Sequence, residues 1–166
     1  MSSKIGRREL IGAAGAAIVA GAIGGEAAAQ DALPKRKIIG ISCSPRKGKT
    51  TAAAVALCLK AAEEQDPGLA TELIELADFS IPAQLAAGQP LREGEADDFP
   101  KLVEKLGDPA VAGIIVGSPV YFGNMSALCK AFLDRCFAFR KDGFKLRNKV
   151  VGVLAVGSTR NGGQEL

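Results

Sequence analysis

Histidine and tryptophan are absent from this 166-residue chain, and tyrosine occurs once, at Tyr121. Without histidine the protein lacks the commonest general base near neutral pH and the commonest metal ligand. No C-x-x-C pair occurs among the four cysteines either, so neither a zinc nor an iron–sulfur site is indicated and no metal is expected. The cysteines are Cys43, Cys58, Cys129 and Cys136. Any reactive chemistry must therefore come from a bound group or from other side chains.

Clusters of basic residues are also missing. The formal net charge is +3, and lysine and arginine are spread along the chain. This distribution gives no indication of a nucleic-acid-binding surface. Because 48% of the residues are hydrophobic and domains usually contain about 100–200 residues, we expect one domain with one core.

The apolar run near the N-terminus is too short and too rich in glycine to favour a membrane span. It covers residues 10–25, 16 residues of which five are glycine, whereas a spanning helix needs about 20 apolar residues. Two adjacent arginines, Arg7 and Arg8, precede it, and the small residues at 27–29 follow it. This arrangement resembles a twin-arginine export signal.

We therefore expect residues 1–29 to be an export signal read by the twin-arginine machinery and residues 30–36 to be a linker. The protein would then be periplasmic or otherwise exported, without a permanent membrane anchor. A general secretory signal and a retained anchor are the two alternatives.

Apolar runs alternate with helical segments along the rest of the chain, residues 37–166. Strands are predicted at 37–42, 71–76, 111–118 and 149–158, and helices at 50–65, 97–107 and about 124–140, with an irregular stretch at 77–95. This alternation predicts an α/β fold in which helices cover both faces of a parallel sheet. In the last helix a buried stripe is expected at Met125, Leu128, Phe132 and Cys136.

The loop after the first strand, SCSPRKGKTT at residues 42–51, ends like a nucleotide-binding phosphate loop. That motif requires a glycine where Cys43 stands, and a nucleotide hydrolase also needs an Asp where the third strand ends in Gly117 and Ser118. A degenerate nucleotide hydrolase is therefore the disfavoured alternative.

The same loop has the composition of a metal-free site for a phosphate monoester. Hydroxyl groups, loop amides and the positive end of the following helix would together bind the anion. The hydroxyls belong to Ser42, Ser44, Thr50 and Thr51, with Arg46 and Lys47 at the rim. A solvated strand–helix turn with an ordinary N-cap is the alternative.

Three segments, residues 42–51, 117–135 and 157–163, resemble the NAD(P)H-dependent FMN reductase group of flavodoxin-like flavoproteins, which includes the iron–sulfur flavoproteins. The resemblance spans residues 37–166. It implies a flavodoxin-like three-layer sandwich with strand order 2-1-3-4, in which Ser44, Arg46, Thr50 and Thr51 hold the FMN phosphate. The isoalloxazine ring would be lined by Pro119, Val120, Tyr121, Phe122, Gly123 and Asn124, with Gly162 and Gly163 approaching it.

The resemblance also implies an activity. The protein would be an oxidoreductase that passes hydride from NAD(P)H to bound FMN and then electrons to a small acceptor such as a quinone or a free flavin, with no catalytic side chain required. The alternative is a flavodoxin-like electron carrier without reductase turnover. The choice between NADH and NADPH, the acceptor and the oligomeric state stay open.

This sequence departs from the family in three respects. Residues 77–99 contain no cysteine, so an iron–sulfur cluster is not expected. Cys43 and Lys49 replace small residues, which would make the phosphate loop tighter or more cationic. The fifth strand and last helix of the family are missing, which would leave the strand at 149–158 as an open apolar edge. We expect either a longer protein or a partner chain, such as a second copy, to cover that edge, and the 166-residue form alone to aggregate or retain little flavin. A non-functional product of a damaged reading frame is the remaining alternative.

Overall fold

The structure is a computed structural model that describes residues 36–141 and 143–157. Strands and helices alternate along this part of the chain. Their bounds are β1 (Lys37–Ser42), α1 (Thr50–Gln65), β2 (Ala70–Glu75), α2 (Phe99–Gly107), β3 (Val111–Tyr121), β4 (Asn124–Met125), α3 (Ala127–Arg135), α4 (Ala138–Lys141) and β5 (Val150–Val156). Two short 3₁₀ helices follow β2: Leu76–Asp78 begins at the last residue of the predicted strand, and Ala83–Ala87 lies within the stretch predicted to be irregular.

Four of the strands form a parallel sheet in the order β2-β1-β3-β5. The predicted α/β class and the predicted order 2-1-3-4 are therefore confirmed, with β5 as the fourth predicted strand. At the carboxyl edge Ser42 is in register with Glu75 on one side and with Gly117 on the other. The chain leaves β1 towards β2 and leaves β3 towards β5, so the direction of winding reverses between β1 and β3.

One face of the sheet packs on α2, α3 and α4. Alternate residues of β1, Ile39 and Ile41, are buried in a cluster with Leu102 of α2 and Phe132 of α3. Phe99 lies in the same cluster, with its ring centroid 6.1 Å from that of Phe132. This cluster is the main hydrophobic core.

The opposite face packs on α1, and two glycines allow a close approach. A Cβ atom at Gly40 would lie 2.5 Å from Val55 Cγ1, and one at Gly117 would lie 2.4 Å from Val55 Cγ2. Real Cβ atoms do not approach this closely. Helix α1 can therefore pack at this distance only because these positions in β1 and β3 are glycines. This packing fixes where the N-terminus of α1 stands relative to the strand ends.

The segment between β2 and α2 is held in place by Arg135 of α3. Its guanidinium donates hydrogen bonds to both Asp97 carboxylate oxygens, at 3.0 and 2.7 Å, and to the Pro82 carbonyl at 3.2 Å. It also stacks 4.7 Å above the centre of the Phe99 ring. The hydrogen bonds from Arg135 hold the pKa of Asp97 below its ordinary value.

The prediction of one helix from about residue 124 to 140 is wrong in its start and in its continuity, whereas its end is close to the observed one. The chain first forms a hairpin between β3 and β4, and α3 begins only at Ala127, after Ser126, whose hydroxyl accepts a hydrogen bond from the Cys129 N–H as an N-cap. A second helix, α4, follows after a break at Cys136. Of the predicted stripe, Phe132 is buried, whereas Met125, Leu128 and Cys136 are half-buried against the core.

Strand β5 pairs with β3 on one side, and within the described residues no strand pairs with its other side. Val150, Val151 and Val153 are strongly exposed on it. The predicted open apolar edge is therefore present in the described part of the sheet. None of the helices within residues 36–141 and 143–157 combines the length and apolarity that a membrane span requires.

Candidate functional site

An open cleft of about 200 Å³ lies at the carboxyl ends of the parallel strands. Three separate segments line it: the loop and helix that follow β1, the end of β3, and the end of β5. The lining residues are Arg46, Thr50, Thr51, Pro119, Val120, Tyr121, Val156 and Gly157. Since the winding of the chain reverses between β1 and β3, the cleft occupies the position at which open α/β sheets bind ligands.

Helix α1 begins beside this cleft without a side-chain cap. Its N-cap residue, Lys49, makes no capping hydrogen bond, and no acidic residue lies in its first turn. The first backbone N–H groups of a helix have no intrahelical acceptor, and together with the helix dipole they attract an anion. The buried Thr51 and the exposed Arg46 add a hydroxyl and a positive charge. The arrangement fits a phosphate group.

Two buried serines flank the start of the loop. Ser42, the last residue of β1, is fully buried, and its hydroxyl oxygen has no hydrogen-bond partner among the described residues. An unpaired buried hydroxyl costs about 1–3 kcal/mol, so this atom fits a site that a polar ligand or a bound water completes. The Ser44 hydroxyl is already engaged, since it accepts from the Arg46 N–H at 3.1 Å and donates to the Arg46 carbonyl at 3.2 Å. Ser44 therefore shapes the loop.

The tip of the loop is tied to β2 and to the 3₁₀ helix that follows it. Lys47 Nζ lies 2.6 Å from the Asp78 carboxylate, and the Gly48 N–H donates to Glu75 Oε2 at 2.7 Å. The hydrogen bond with Asp78 raises the pKa of Lys47. Lys47, predicted to lie at the rim of the phosphate site, instead pairs with Asp78 and does not line the cleft.

The hairpin after β3 carries the predicted aromatic residues. Tyr121 pairs with Asn124 across β3 and β4, and Phe122 and Gly123 form the turn with φ angles of 51° and 71°. A type I′ hairpin turn needs positive φ at both central residues, which suits glycine but strains phenylalanine. Tyr121 lines the cleft, whereas the Phe122 ring is fully exposed outside it. Such strain at an exposed aromatic residue is typical of binding loops.

A hydroxyl that sequence reasoning missed joins the two loops. Ser126 Oγ donates to the Cys43 carbonyl at 2.6 Å and accepts from the Cys129 N–H at 3.1 Å, and the Ser126 N–H donates to Ser118 Oγ at 3.0 Å. The first loop is thereby fixed to the start of α3. A serine before a helical pattern is a recognisable N-cap signal, but the predicted helix start at residue 124 concealed it.

Of the third predicted loop, residues 157–163, the structure describes only the first residue, Gly157. Val156 and Gly157, which were not predicted as site residues, line the cleft. Gly162 and Gly163 lie outside the described residues. Within the described ranges, no group of three cysteine, aspartate or glutamate side chains is placed to hold a metal ion.

Comparison with known families and proteins gives a consistent result. The profile of the family described as NADPH-dependent FMN reductase matches residues 36–166. An iron–sulfur flavoprotein of Methanocaldococcus jannaschii is 44% identical over 132 residues, which cover 78% of this chain and 66% of that protein. An iron–sulfur flavoprotein of Methanosarcina thermophila is 39% identical over 133 residues, which cover 78% of this chain and 67% of that protein. The chain thus spans about two thirds of the length of these curated relatives.

Solved structures with similar folds include flavin-binding proteins. The apo form of an NADH:FMN oxidoreductase is 26% identical with a TM-score of 0.57, and the match covers 75% of this chain and 60% of that one. The structure of RosB with the bound intermediate 8-demethyl-8-formylriboflavin-5′-phosphate is 16% identical with a TM-score of 0.59, over 76% of this chain and 54% of that one. At that identity the second likeness supports the fold alone.

Proposed function

Because the chain belongs to the NADPH-dependent FMN reductase family, we propose that it is an FMN-dependent NAD(P)H oxidoreductase whose cofactor lies in the cleft beside α1. One observation carries this proposal: a single cleft joins the uncapped end of α1 to the apolar end of β3. When bound, FMN would accept hydride from the nicotinamide and supply electrons to a small acceptor such as a quinone or a free flavin.

The phosphate end of the site is assigned to the loop and helix after β1. Thr50, Thr51 and the first-turn amides of α1 would donate hydrogen bonds to the phosphate oxygens, and the Arg46 guanidinium would contribute charge. Ser42 would supply its unpartnered hydroxyl from the end of β1. Ser44 would act indirectly, by holding Arg46 in the loop.

The ring end of the site is assigned to the end of β3 and the hairpin. Pro119, Val120 and Tyr121 line the cleft and would cover one part of the flat ring while excluding water from it. Val156 would close the opposite side. Phe122 and Asn124 are exposed and Gly123 is half-buried on the turn, where a second ring could approach them from solvent.

The proposed function uses no protein nucleophile and no iron–sulfur cluster. The chain has no histidine, and residues 77–99 contain no cysteine. The proposal for this chain therefore includes the flavin of the relatives named as iron–sulfur flavoproteins but not their iron–sulfur cluster. The role of this chain's own residues is to bind and orient the reacting rings.

Addition of NADPH or NADH to the FMN-loaded protein under anaerobic conditions tests this proposal. We expect at least one of the two to bleach the flavin absorption band, and a quinone added afterwards to restore it. A flavin that stays oxidised with both nicotinamides, yet is bleached by dithionite, would contradict the reductase assignment. That result would indicate an electron carrier of the flavodoxin type.

We also propose that residues 1–29 direct export through the twin-arginine machinery, although these residues lie outside the described part of the structure. The adjacent Arg7 and Arg8 and the mildly apolar run after them support this. A reporter fused to residues 1–36 should reach the periplasm of a bacterium that has this machinery. The double change Arg7→Lys and Arg8→Lys should retain it in the cytoplasm. Periplasmic delivery that survives the double change would contradict the proposal and point to the general secretory route.

A further inference from the structure

Two buried cysteines meet behind the cleft, where the two loops join. Cys43 follows the last residue of β1 and is fully buried, and Cys129 lies in the first turn of α3 with an exposed fraction of 3%. Both belong to the main core cluster, and both are free thiols. The proposed flavin chemistry uses neither of them.

Their backbones are held together by one side chain. Ser126 Oγ contacts the Cys43 carbonyl oxygen at 2.6 Å and the Cys129 nitrogen at 3.1 Å, so those two backbone atoms are no further apart than the sum of these distances. Each of the two thiols also shifts the pKa of the other. A disulfide requires Cα atoms about 4.4–6.8 Å apart, a separation that this arrangement allows.

The two thiols differ in reactivity and in access. A hydrogen bond from Cys43 lowers the pKa of Cys129 to about 7, with a further contribution from Ser118, despite the burial that opposes it. The same contact, together with burial, raises the pKa of Cys43. Cys129 also lines a cavity of about 340 Å³ between α3 and β5, beside Met125 and Leu133. Cys129 is therefore the nucleophile and Cys43 the protonated partner.

The remaining cysteines are less well placed. Cys136 lies seven positions after Cys129, and burial raises its pKa to about 12. Seven residues of helix rise about 10 Å, which is beyond the reach of a disulfide. Cys58 lies on α1, on the opposite face of the sheet. The pairing of Cys129 with Cys43 is thus specific.

We propose that Cys43 and Cys129 form a redox-active dithiol that a small-molecule disulfide, entering through the 340 Å³ cavity, converts into a Cys43–Cys129 disulfide. This site is distinct from the proposed flavin site, and the inference does not rest on FMN binding.

The reaction is two successive thiol–disulfide exchanges. The Cys129 thiolate attacks one sulfur of the small disulfide, whose S–S bond breaks and releases one thiolate. Cys43 then gives its proton to that thiolate and attacks the Cys129 sulfur, which breaks the mixed disulfide and releases the second small thiol with the remaining proton. The two cysteines lose two electrons and two protons, and the small disulfide is reduced to two thiols.

Oxidised glutathione added to the purified full-length protein tests the proposal, with intact mass and a non-reducing peptide map as readouts. We expect the wild type to lose two hydrogens and to yield a peptide that links Cys43 to Cys129. Cys129→Ser should abolish this change. Cys43→Ser should instead trap one glutathione on Cys129, because the resolving thiol is gone. Cys58→Ser is the matched control and should behave like the wild type.

Four results would overturn the proposal. One is a wild-type protein that keeps a stable glutathione adduct on Cys129 without closing to a disulfide. The second is a Cys129–Cys136 link. The third is reaction at Cys58 alone, and the fourth is no reaction at all. Because the wild-type map alone distinguishes these results, the test does not depend on the variants folding.

Discussion

Replacing Gly117 with alanine is expected to lower the free energy of unfolding by about 2 kcal/mol and to weaken FMN binding. The new Cβ atom would lie 2.4 Å from Val55 Cγ2, and a valine in a helix has little rotameric freedom to move away. Helix α1 must therefore shift off the sheet, and its N-terminus shifts with it. Urea denaturation and FMN titration of the same variant measure the two effects.

The same strand supplies the control. A Cβ atom at Gly113 would meet nothing closer than the Val150 carbonyl oxygen at 3.4 Å, so Gly113→Ala should be tolerated far better. Val55→Ala combined with Gly117→Ala should recover part of the stability, because the clashing methyl group is removed. Equal losses from the two glycine substitutions would show that close packing of α1 is not what Gly117 provides.

Replacing Thr51 with valine is expected to raise the Kd of FMN roughly thirty-fold, the equivalent of about 2 kcal/mol for a hydrogen bond to a charged group. Thr51 is buried in the first turn of α1 and lines the cleft. Valine keeps the shape of the side chain and removes the donor. Fluorescence titration of the apoprotein with FMN gives the change directly.

Riboflavin, which lacks the phosphate, distinguishes a phosphate contact from general damage. Thr51→Val should leave riboflavin affinity close to that of the wild type. Thr71→Val, on β2 where the threonine hydroxyl bonds Glu63, should change neither affinity. If Thr51→Val weakened FMN and riboflavin equally, Thr51 would not be a phosphate ligand.

The regular elements follow from local sequence patterns. The predicted limits of β1 and α1, residues 37–42 and 50–65, coincide with the strand and the helix. Strands buried on both faces are continuous apolar runs, and the alanine-rich segment favours a helix, so each element is determined by its own residues. The strand order needed the family resemblance, because apolar runs of this kind do not identify their neighbours.

The hairpin was missed because its turn signal is incomplete: Gly123 fits the second central position, but the first is not glycine or asparagine. Phe122 occupies a position with positive φ that glycine or asparagine usually fills, and Met125 continues the helical spacing of α3 backwards. Local patterns therefore favoured a helix that starts too early. The polar loop after β1, in contrast, was visible because hydroxyl and glycine residues interrupt an apolar strand and precede a helix.

The contacts that organise the site join residues that are distant in sequence. Lys47 and Asp78 are 31 positions apart, and Ser126 and Cys43 are 83 positions apart. No local pattern encodes such pairs, so Lys47 was assigned to the phosphate and Ser126 was overlooked. The meeting of Cys43 and Cys129 was missed for the same reason.

We propose that the cleft beside α1 binds a flavin by its phosphate. The most direct test is to titrate the wild-type apoprotein with FMN and with riboflavin under the same conditions. We expect FMN to bind about a hundredfold more tightly, as one or two hydrogen bonds to a charged phosphate would produce. Equal affinities, or no binding of either flavin, would contradict it.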